Sequence, residues 1–217
     1  MSQTTPTRNN KNSMKGLAYW EKYASKYDLS LGLIGRPFKR MLELIGEAAE
    51  GAEQVLEVAA GTGLVTPTLA DKADNVVATD YADAMLERLK AKVAEHGLSN
   101  VQCEQADIYE LRYESHSFDL VVAANVLHIV PDLPAALDAL KLMLKPGGRL
   151  IVPTFCHDET RTSRFMSRLL AITSFPGQRR LTVSSLADFL IKGGLVLAHT
   201  ETLPGLIPIG YAEGVFQ

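Results

Sequence analysis

The sequence predicts an α/β fold: a mostly parallel seven-stranded sheet with helices on both faces and an antiparallel last strand. Three observations carry this. From Gln54 onward, short apolar stretches alternate with helical ones, the pattern of parallel strands joined by crossover helices. Residues 118–124 (Phe-Asp-Leu-Val-Val-Ala-Ala) are apolar with little alternation, as suits a strand covered on both faces. The last two strands are joined only by residues 203–208. A parallel crossover needs a dozen or more residues, so the final strand must reverse.

In chain order, residues 1–12 are polar, lack the apolar core of a signal peptide and read as a disordered lead-in. Residues 13–50 read as an N-terminal helical lid. There Leu17, Tyr19, Trp20, Tyr23 and Tyr27 recur at helical spacing, and Phe38, Met41, Leu42 and Ile45 share one face of a second helix over 38–49. Residues 51–217 form the main domain. It opens with strand 54–59, a helix from about Val65, strand 75–79, a helix over 82–95 and strand 101–104. Strand 118–124 and a helix over 133–144 follow, and Lys145-Pro146-Gly147-Gly148 is a predicted turn before strand 149–155. The alternation stops at an arginine-rich helical insertion over 157–182. It resumes with a helix over 183–191, a turn at Gly193-Gly194, and strands 195–202 and 209–216.

Composition sets outer limits. At 217 residues, 47% hydrophobic and 22% charged, the chain has material for one domain with an elaboration. A net charge of −3 gives no global pull toward nucleic acid or anionic membrane. Cys103 and Cys156 stand in no metal-ligand spacing, so neither a disulfide framework nor a metal site is expected. No apolar run approaches the roughly 18 residues of a membrane span, and a cytoplasmic protein is expected.

Ligands of open α/β sheets sit beyond the carboxyl ends of the strands, so each strand is read for what it delivers there. The first delivers Glu57 and the turn Ala59-Ala60-Gly61-Thr62-Gly63. Glycines let that backbone take positive φ and approach a ligand, while an acid in an apolar strand needs a partner. The second ends in Asp80, an acid placed to accept ribose hydroxyls or simply to cap the next helix. The third leads to Gln105-Ala106-Asp107-Ile108, where Asp107 is suited to an adenine amino group or to shaping a turn. The fourth leads to Asn125-Val126-Leu127-His128, and the fifth to Cys156 and His157.

Together these segments resemble the class I S-adenosylmethionine-dependent methyltransferases. The residues that carry the resemblance are 56–63 (Leu-Glu-Val-Ala-Ala-Gly-Thr-Gly), 77–80 (Val-Ala-Thr-Asp), 105–107 (Gln-Ala-Asp), 118–128 and 144–150 (Leu-Lys-Pro-Gly-Gly-Arg-Leu). The resemblance implies a Rossmann-like fold and S-adenosyl-L-methionine as cofactor, with S-adenosyl-L-homocysteine as product. It implies that Glu57, Ala59, Gly61, Thr62 and Gly63 hold the methionine end and that Asp80 binds ribose. Tyr81 and Met85 then flank the adenine, Asp107 and Ile108 read it, and Asn125 adds a cofactor contact. Ala59 stands where that family often has glycine. The segment around Tyr19 and Tyr27 is similar to the lid of small-molecule members, with Tyr27 as the residue that closes over the cofactor.

Methyl transfer from a sulfonium is mainly a matter of alignment and water exclusion. A base is needed only where the nucleophile carries a proton, and His128 is the candidate catalytic residue for that. Tyr19, His128, Cys156, His157 and Arg161 are the candidate substrate residues. Arg161, Arg164 and Arg168 fall within about 60° on a helical wheel beside Phe165, Met166, Leu169 and Leu170. The insertion is therefore read either as a lid with a solvated basic face or as a surface for peripheral membrane contact.

A small-molecule or amphiphilic acceptor is the leading expectation. The alternatives are a phospholipid N-methyltransferase at the membrane surface and a non-catalytic module that binds S-adenosylmethionine. A nicotinamide oxidoreductase fits less well, because Thr66 stands where a third glycine or alanine is wanted. Nucleic acid is not an expected partner, since basic residues are not interleaved with aromatics in a stripe.

Overall fold

A strand that crosses the middle of a sheet must be apolar on both faces, and Val55–Val58 is buried throughout, Glu57 included. In the computed structural model the described residues are 17–22, 36–170 and 179–217. The expected lead-in over 1–12, and Tyr23 and Tyr27, lie outside them. Residues 17–22 are helical (α1), and α2 spans Arg36–Ala49. Then come β1 (Gln54–Val58), α3 (Thr66–Lys72), β2 (Asn75–Asp80), α4 (Asp83–Glu95), β3 (Val101–Gln105) and β4 (Phe118–Val122). They are followed by α5 (Leu133–Met143), β5 (Leu144–Ile151), β6 (Thr154–Phe155), α6 (Arg161–Leu170), α7 (Val183–Lys192), β7 (Val196–Leu203) and β8 (Ile209–Val215).

β1 pairs in parallel with β2 on one side and β4 on the other, while β3 extends the sheet beyond β2 and β5 extends it beyond β4. The expected reversal is present: β8 lies antiparallel to both β5 and β7. The pairs Arg149↔Val215 and Phe155↔Ile209 belong to one unbroken register, so β6 continues β5. Helices α2, α3 and α4 bury Met41, Ile45, Leu69 and Leu89 in one core cluster, and α5 and α7 bury Leu137, Leu140, Leu186 and Leu190 in another. Glycine permits the closest approaches. A Cβ on Gly63 would stand 2.8 Å from Leu89 Cδ1 of α4.

Two polar ties hold strands and helices in place. Asp119 on β4 accepts from the Gln54 amide at 2.9 Å and from Lys145 Nζ at 2.7 Å, joining β1, β4 and β5. Burial pushes its carboxyl up, but Lys145 and the amide outweigh that and hold it below its ordinary value. Arg40 on α2 presents Nε and Nη2 to the two carboxylate oxygens of Glu201 on β7, both at 3.2 Å. Such a fork orients α2 more than it stabilises it, because the pair is partly exposed.

One sequence expectation changes. Lys145-Pro146-Gly147-Gly148 is not a turn between helix and strand but a bulge inside β5. Leu144 pairs with Phe118 and Arg149 with Leu120, so the β5 segment carries extra residues. Pro146 has no amide to give the ladder, and Gly147 takes φ +80°. The insertion helix α6 turns its serines inward. Ser163 and Ser167 are buried, whereas Phe165 is 61% exposed beside exposed Arg161, Arg164 and Arg168.

A Cβ on Gly148 would lie 2.8 Å from the Lys145 carbonyl oxygen and 3.2 Å from the carbonyls of Phe118 and Asp119. These are backbone atoms that cannot move singly. Gly148→Ala is therefore expected to destabilise the protein by about 1–3 kcal/mol, read as a lower midpoint in urea unfolding.

Candidate active site

The site begins where β1 ends. Ala59 takes φ +56°, Gly61 φ +60° and Gly63 φ +78°, and this left-handed sequence bends the chain from β1 toward α3. The turn is fastened to its neighbour strand. The Ala60 amide donates to the Thr79 carbonyl at 2.8 Å, and the Gly61 amide to Asp80 Oδ2 at 2.8 Å. The other carboxylate oxygen, Oδ1, accepts from the Ala82 amide at 2.9 Å. Burial nonetheless raises the Asp80 carboxyl to about 6, against the pull of those amides and with help from the nearby charge of Glu21.

Glu57 lies buried beneath this turn, and its carboxylate accepts from Thr66 Oγ1 at 2.6 Å. Burial pushes it up to about 8. The Thr66 hydroxyl pulls it down, Asp80 adds to the rise and Lys92 opposes it. Thr66, noted in the sequence only as a missing glycine, is thus the partner that the buried acid requires. Thr62 is fully buried within the same turn.

On the β2–β3 side, Tyr81, Gln105, Ala106, Asp107 and Tyr113 line one cleft. Gln105 Nε2 donates to the Tyr81 carbonyl at 3.1 Å and to Asp83 Oδ1 at 2.6 Å, so the end of β3 is latched to the start of α4. Asp107 Oδ1 accepts from the Tyr109 amide at 3.0 Å, the turn-shaping role weighed for it. Ile108 is buried against the sheet. Met85 is buried with Ala82 in a small cluster that also takes in Tyr81, Leu17 and Trp20. Helix α1 therefore rests on the start of α4, where the Ala84 amide donates to Glu21 Oε2 at 3.1 Å. Tyr19 packs edge-on to Trp20 with ring centroids 5.1 Å apart.

On the β4–β6 side the polar groups are uncharged. His128 is buried with Nδ1 3.0 Å from Thr154 Oγ1. Its ring meets Phe155 edge-on at 5.7 Å and lies 5.6 Å from the ring of His157. Burial, with a smaller push from His157, takes His128 down to about 3. His157 is also lowered by burial and by Arg180. Its Nδ1 is 2.6 Å from Ser167 Oγ on α6. Asn125 takes φ +54°, and its Oδ1 is buried without a hydrogen-bond partner. Cys156 is fully buried against Gly210, and its thiol is pushed up to about 12 by burial. Arg161 is exposed at the start of α6. Among the described residues no group of three or more histidine, cysteine or acidic side chains is placed to hold a metal, and no helix is long and apolar enough to cross a membrane.

Both the sequence and the fold are similar to those of known proteins. A family described as "Methyltransferase domain" matches residues 56–152. The ubiquinone/menaquinone biosynthesis C-methyltransferase UbiE of Teredinibacter turnerae is 31% identical over 202 residues, which cover 88% of this chain and 80% of that protein. The chain belongs to the class I S-adenosylmethionine-dependent methyltransferases. Two solved structures carry the same fold. A SAM-dependent methyltransferase from Aquifex aeolicus superposes with a TM-score of 0.70 at 20% identity, covering 91% of this chain and 98% of that one. DhpI, solved in complex with SAH, does so with a TM-score of 0.69 at 23% identity, covering 93% and 95%.

The methyltransferase uses S-adenosylmethionine, and its residues fit that group. Two buried carboxyls lie at and beneath a turn of left-handed residues, and a cleft with an aromatic wall opens beside them. The sequence had not singled out Glu21, Thr154, Phe155 or Ser167, and it marked Thr66 only as a missing glycine. Thr66 alone had a local signal, standing in phase with the glycine turn.

Two outcomes follow. Ala59 in the left-handed region costs more than glycine there, so Ala59→Gly is expected to stabilise the methyltransferase by about 1 kcal/mol, seen as a raised unfolding midpoint. The raised Asp80 carboxyl keeps its proton until the pH passes about 6, and ribose hydroxyls donate to the charged form. Affinity for S-adenosylhomocysteine should accordingly rise from pH 5 to 7 and then level. Titration calorimetry should show Asp80→Asn weakening it by about 1–3 kcal/mol and flattening that profile.

Proposed function

We propose that this methyltransferase transfers its methyl group to a ring carbon of a small, apolar, quinol-type acceptor. The observation that carries the reading is the division of buried polar groups. Glu57 and Asp80 lie on the cofactor side, whereas among the described residues the buried polar side chains beyond β4 and β6 are His128, Thr154, His157, Ser163 and Ser167. Around Phe155 these neutral groups suit an uncharged ring bearing oxygen. They offer no ion pair to a charged headgroup. The UbiE relative, a quinone-biosynthesis C-methyltransferase by name, supports the same acceptor class.

When bound, the cofactor would supply an electrophilic methyl on a sulfonium: the S–CH3 bond would break as the ring carbon bonds to the methyl, S-adenosylhomocysteine would leave as a neutral thioether, and the proton of that carbon would pass to water. For the chain's own part, Asp80 and the Ala59–Gly63 turn hold the donor, with Glu57 bracing the turn from beneath through Thr66. Tyr81, Met85, Asp107 and Ile108 bound the adenine side, and Asn125 faces the junction of the two halves. A histidine held near 3 is a weak base at neutral pH, so His128 acts as a hydrogen-bonding wall that orients the ring. Cys156 supports that wall without reacting. Arg161 and Tyr19 stand at the periphery as entrance residues.

The phospholipid alternative draws no support from the relatives. Arg179, which precedes α7 on this side, already donates to the carbonyls of Val130 and Pro131.

Labelled S-adenosylmethionine offered with hydroquinones, phenols, amines, thiols and phosphatidylethanolamine vesicles tests the proposal. Transfer to the hydroquinones is expected, with the new methyl assigned to a ring carbon by NMR. A methyl ether as the product would replace carbon by oxygen as the nucleophile. Transfer to the vesicles alone would sink the reading.

A further inference from the structure

His157 Nε2 is a polar atom sealed from solvent with no hydrogen-bond partner, on a side chain that is only 6% exposed. A buried polar atom without a partner is a standing cost, and this one belongs to a ring that the fold holds firmly. The other ring nitrogen, Nδ1, is 2.6 Å from Ser167 Oγ, and Ser167 Oγ is also 3.4 Å from the His157 carbonyl oxygen. Ser167 has one hydroxyl proton. The 2.6 Å contact fits either tautomer; we take Nδ1–H as the donor to Oγ, because only that choice leaves the Ser167 proton for the carbonyl oxygen. This assignment satisfies both contacts and leaves Nε2 with its lone pair unpartnered. Burial and the Arg180 charge keep the ring neutral, which preserves that lone pair. The ring lies 5.6 Å from His128 and 6.4 Å from Phe155, beside the strand ends where the acceptor is placed above.

We propose that His157 Nε2 accepts a hydrogen bond from a ring hydroxyl of the acceptor, and that Ser167 on α6 is the positioning residue that sets the tautomer for it. This rests on the aromatic-acceptor reading and deepens it. The site selects the reduced, hydroxyl-bearing ring over an oxidised or etherified one. It also gives α6 a reason to bury two serines. Ser163 and Thr160 close the start of the helix, with the Thr160 amide donating to Ser163 Oγ at 2.9 Å and the Ser163 amide to Thr160 Oγ1 at 3.0 Å. One turn later Ser167 meets the histidine.

The test compares three rings of equal size: 1,4-dihydroxynaphthalene, 1,4-dimethoxynaphthalene and 1,4-naphthoquinone. Each is titrated anaerobically into the full chain saturated with S-adenosylhomocysteine. The wild-type protein is expected to bind the dihydroxy ring about tenfold more tightly than the other two, the scale of one hydrogen bond. His157→Phe should erase that ratio without changing affinity for the dimethoxy ring or for S-adenosylhomocysteine. His157→Gln, which can still present an acceptor, should restore part of the ratio, and Ser167→Ala should shrink it. The unchanged dimethoxy binding separates lost recognition from lost folding. A ratio that survives in His157→Phe, or a naphthoquinone bound as tightly as the dihydroxy ring, overturns the assignment of Nε2 while leaving an aromatic acceptor in place. Binding of none of the three rings to the wild-type protein overturns the acceptor reading and this inference with it.

Discussion

The buried carboxylate of Asp80, shared between the Gly61 amide at the end of β1 and the Ala82 amide at the start of α4, is the constraint on which the site depends. Parallel pairing of β1 with β2 brings those amides to one place. It leaves them pointing into a region from which water is excluded, where an unpaired N–H is expensive. One carboxylate satisfies both. The left-handed turn then keeps its shape, although Ala59, a residue disfavoured there, occupies its first position. The same burial that makes the carboxylate necessary also raises its pKa to about 6, so the structural brace is a titrating group. On the proposed reading, support of the turn and reception of the donor would be two uses of one pair of oxygens.

Much of the fold was legible because parallel strands are buried on both faces and say so in composition. β1, β2 and β4 could be read from their apolar runs, and the reversed β8 from the length of the link before it. What could not be read depended on partners distant in sequence. The Pro-Gly-Gly stretch of 145–148 carries every local mark of a turn. Only the carbonyls of Phe118 and Asp119, close enough to exclude a side chain at Gly148, make it a bulge within a strand. Periodicity likewise set Arg161, Arg164 and Arg168 on one arc of α6 but gave no sign that Ser163 and Ser167 would be its buried residues, in contact with Thr160 and His157. In the site, residues on strand ends were found by their position. Their supports, Thr66 under Glu57 and Thr154 beside His128, were not, since a hydroxyl in a helix or strand has no local signature of what it will touch.

Helix α1 adds a link between the chain's beginning and the donor half of the site. Glu21 accepts from the Ala84 amide in the first turn of α4, where the unsatisfied N–H groups of a helix favour negative charge. Trp20 and Leu17 cover Met85 and Ala82 just above it. The contact is not neutral for the site, because Glu21 places a second negative charge near Asp80 and raises its pKa further. Docking of α1 therefore stiffens the start of α4 and also makes the Asp80 carboxylate more demanding of donors. If a nucleoside's hydroxyls are received by Asp80 as proposed, they would meet that demand.

The two halves differ in how they treat charge, and the difference matches the chemistry asked of them. On the donor side, acids are buried and fixed by hydroxyl and amide donors. Beyond β4 and β6 the buried polar groups are neutral, and burial lowers the pKa of both histidines so that they stay uncharged. Attraction between opposite charges weakens as the surrounding polarity rises. An electron-rich ring brought toward a positively charged donor is held most strongly where no fixed charge or bulk water competes for it. A protonated histidine or a lysine in that wall would stabilise an anionic ring in its ground state and dull its attack. On the proposed acceptor reading, neutral imidazoles and a phenyl ring would orient the ring without that penalty, and the low basicity of His128 would serve the same end.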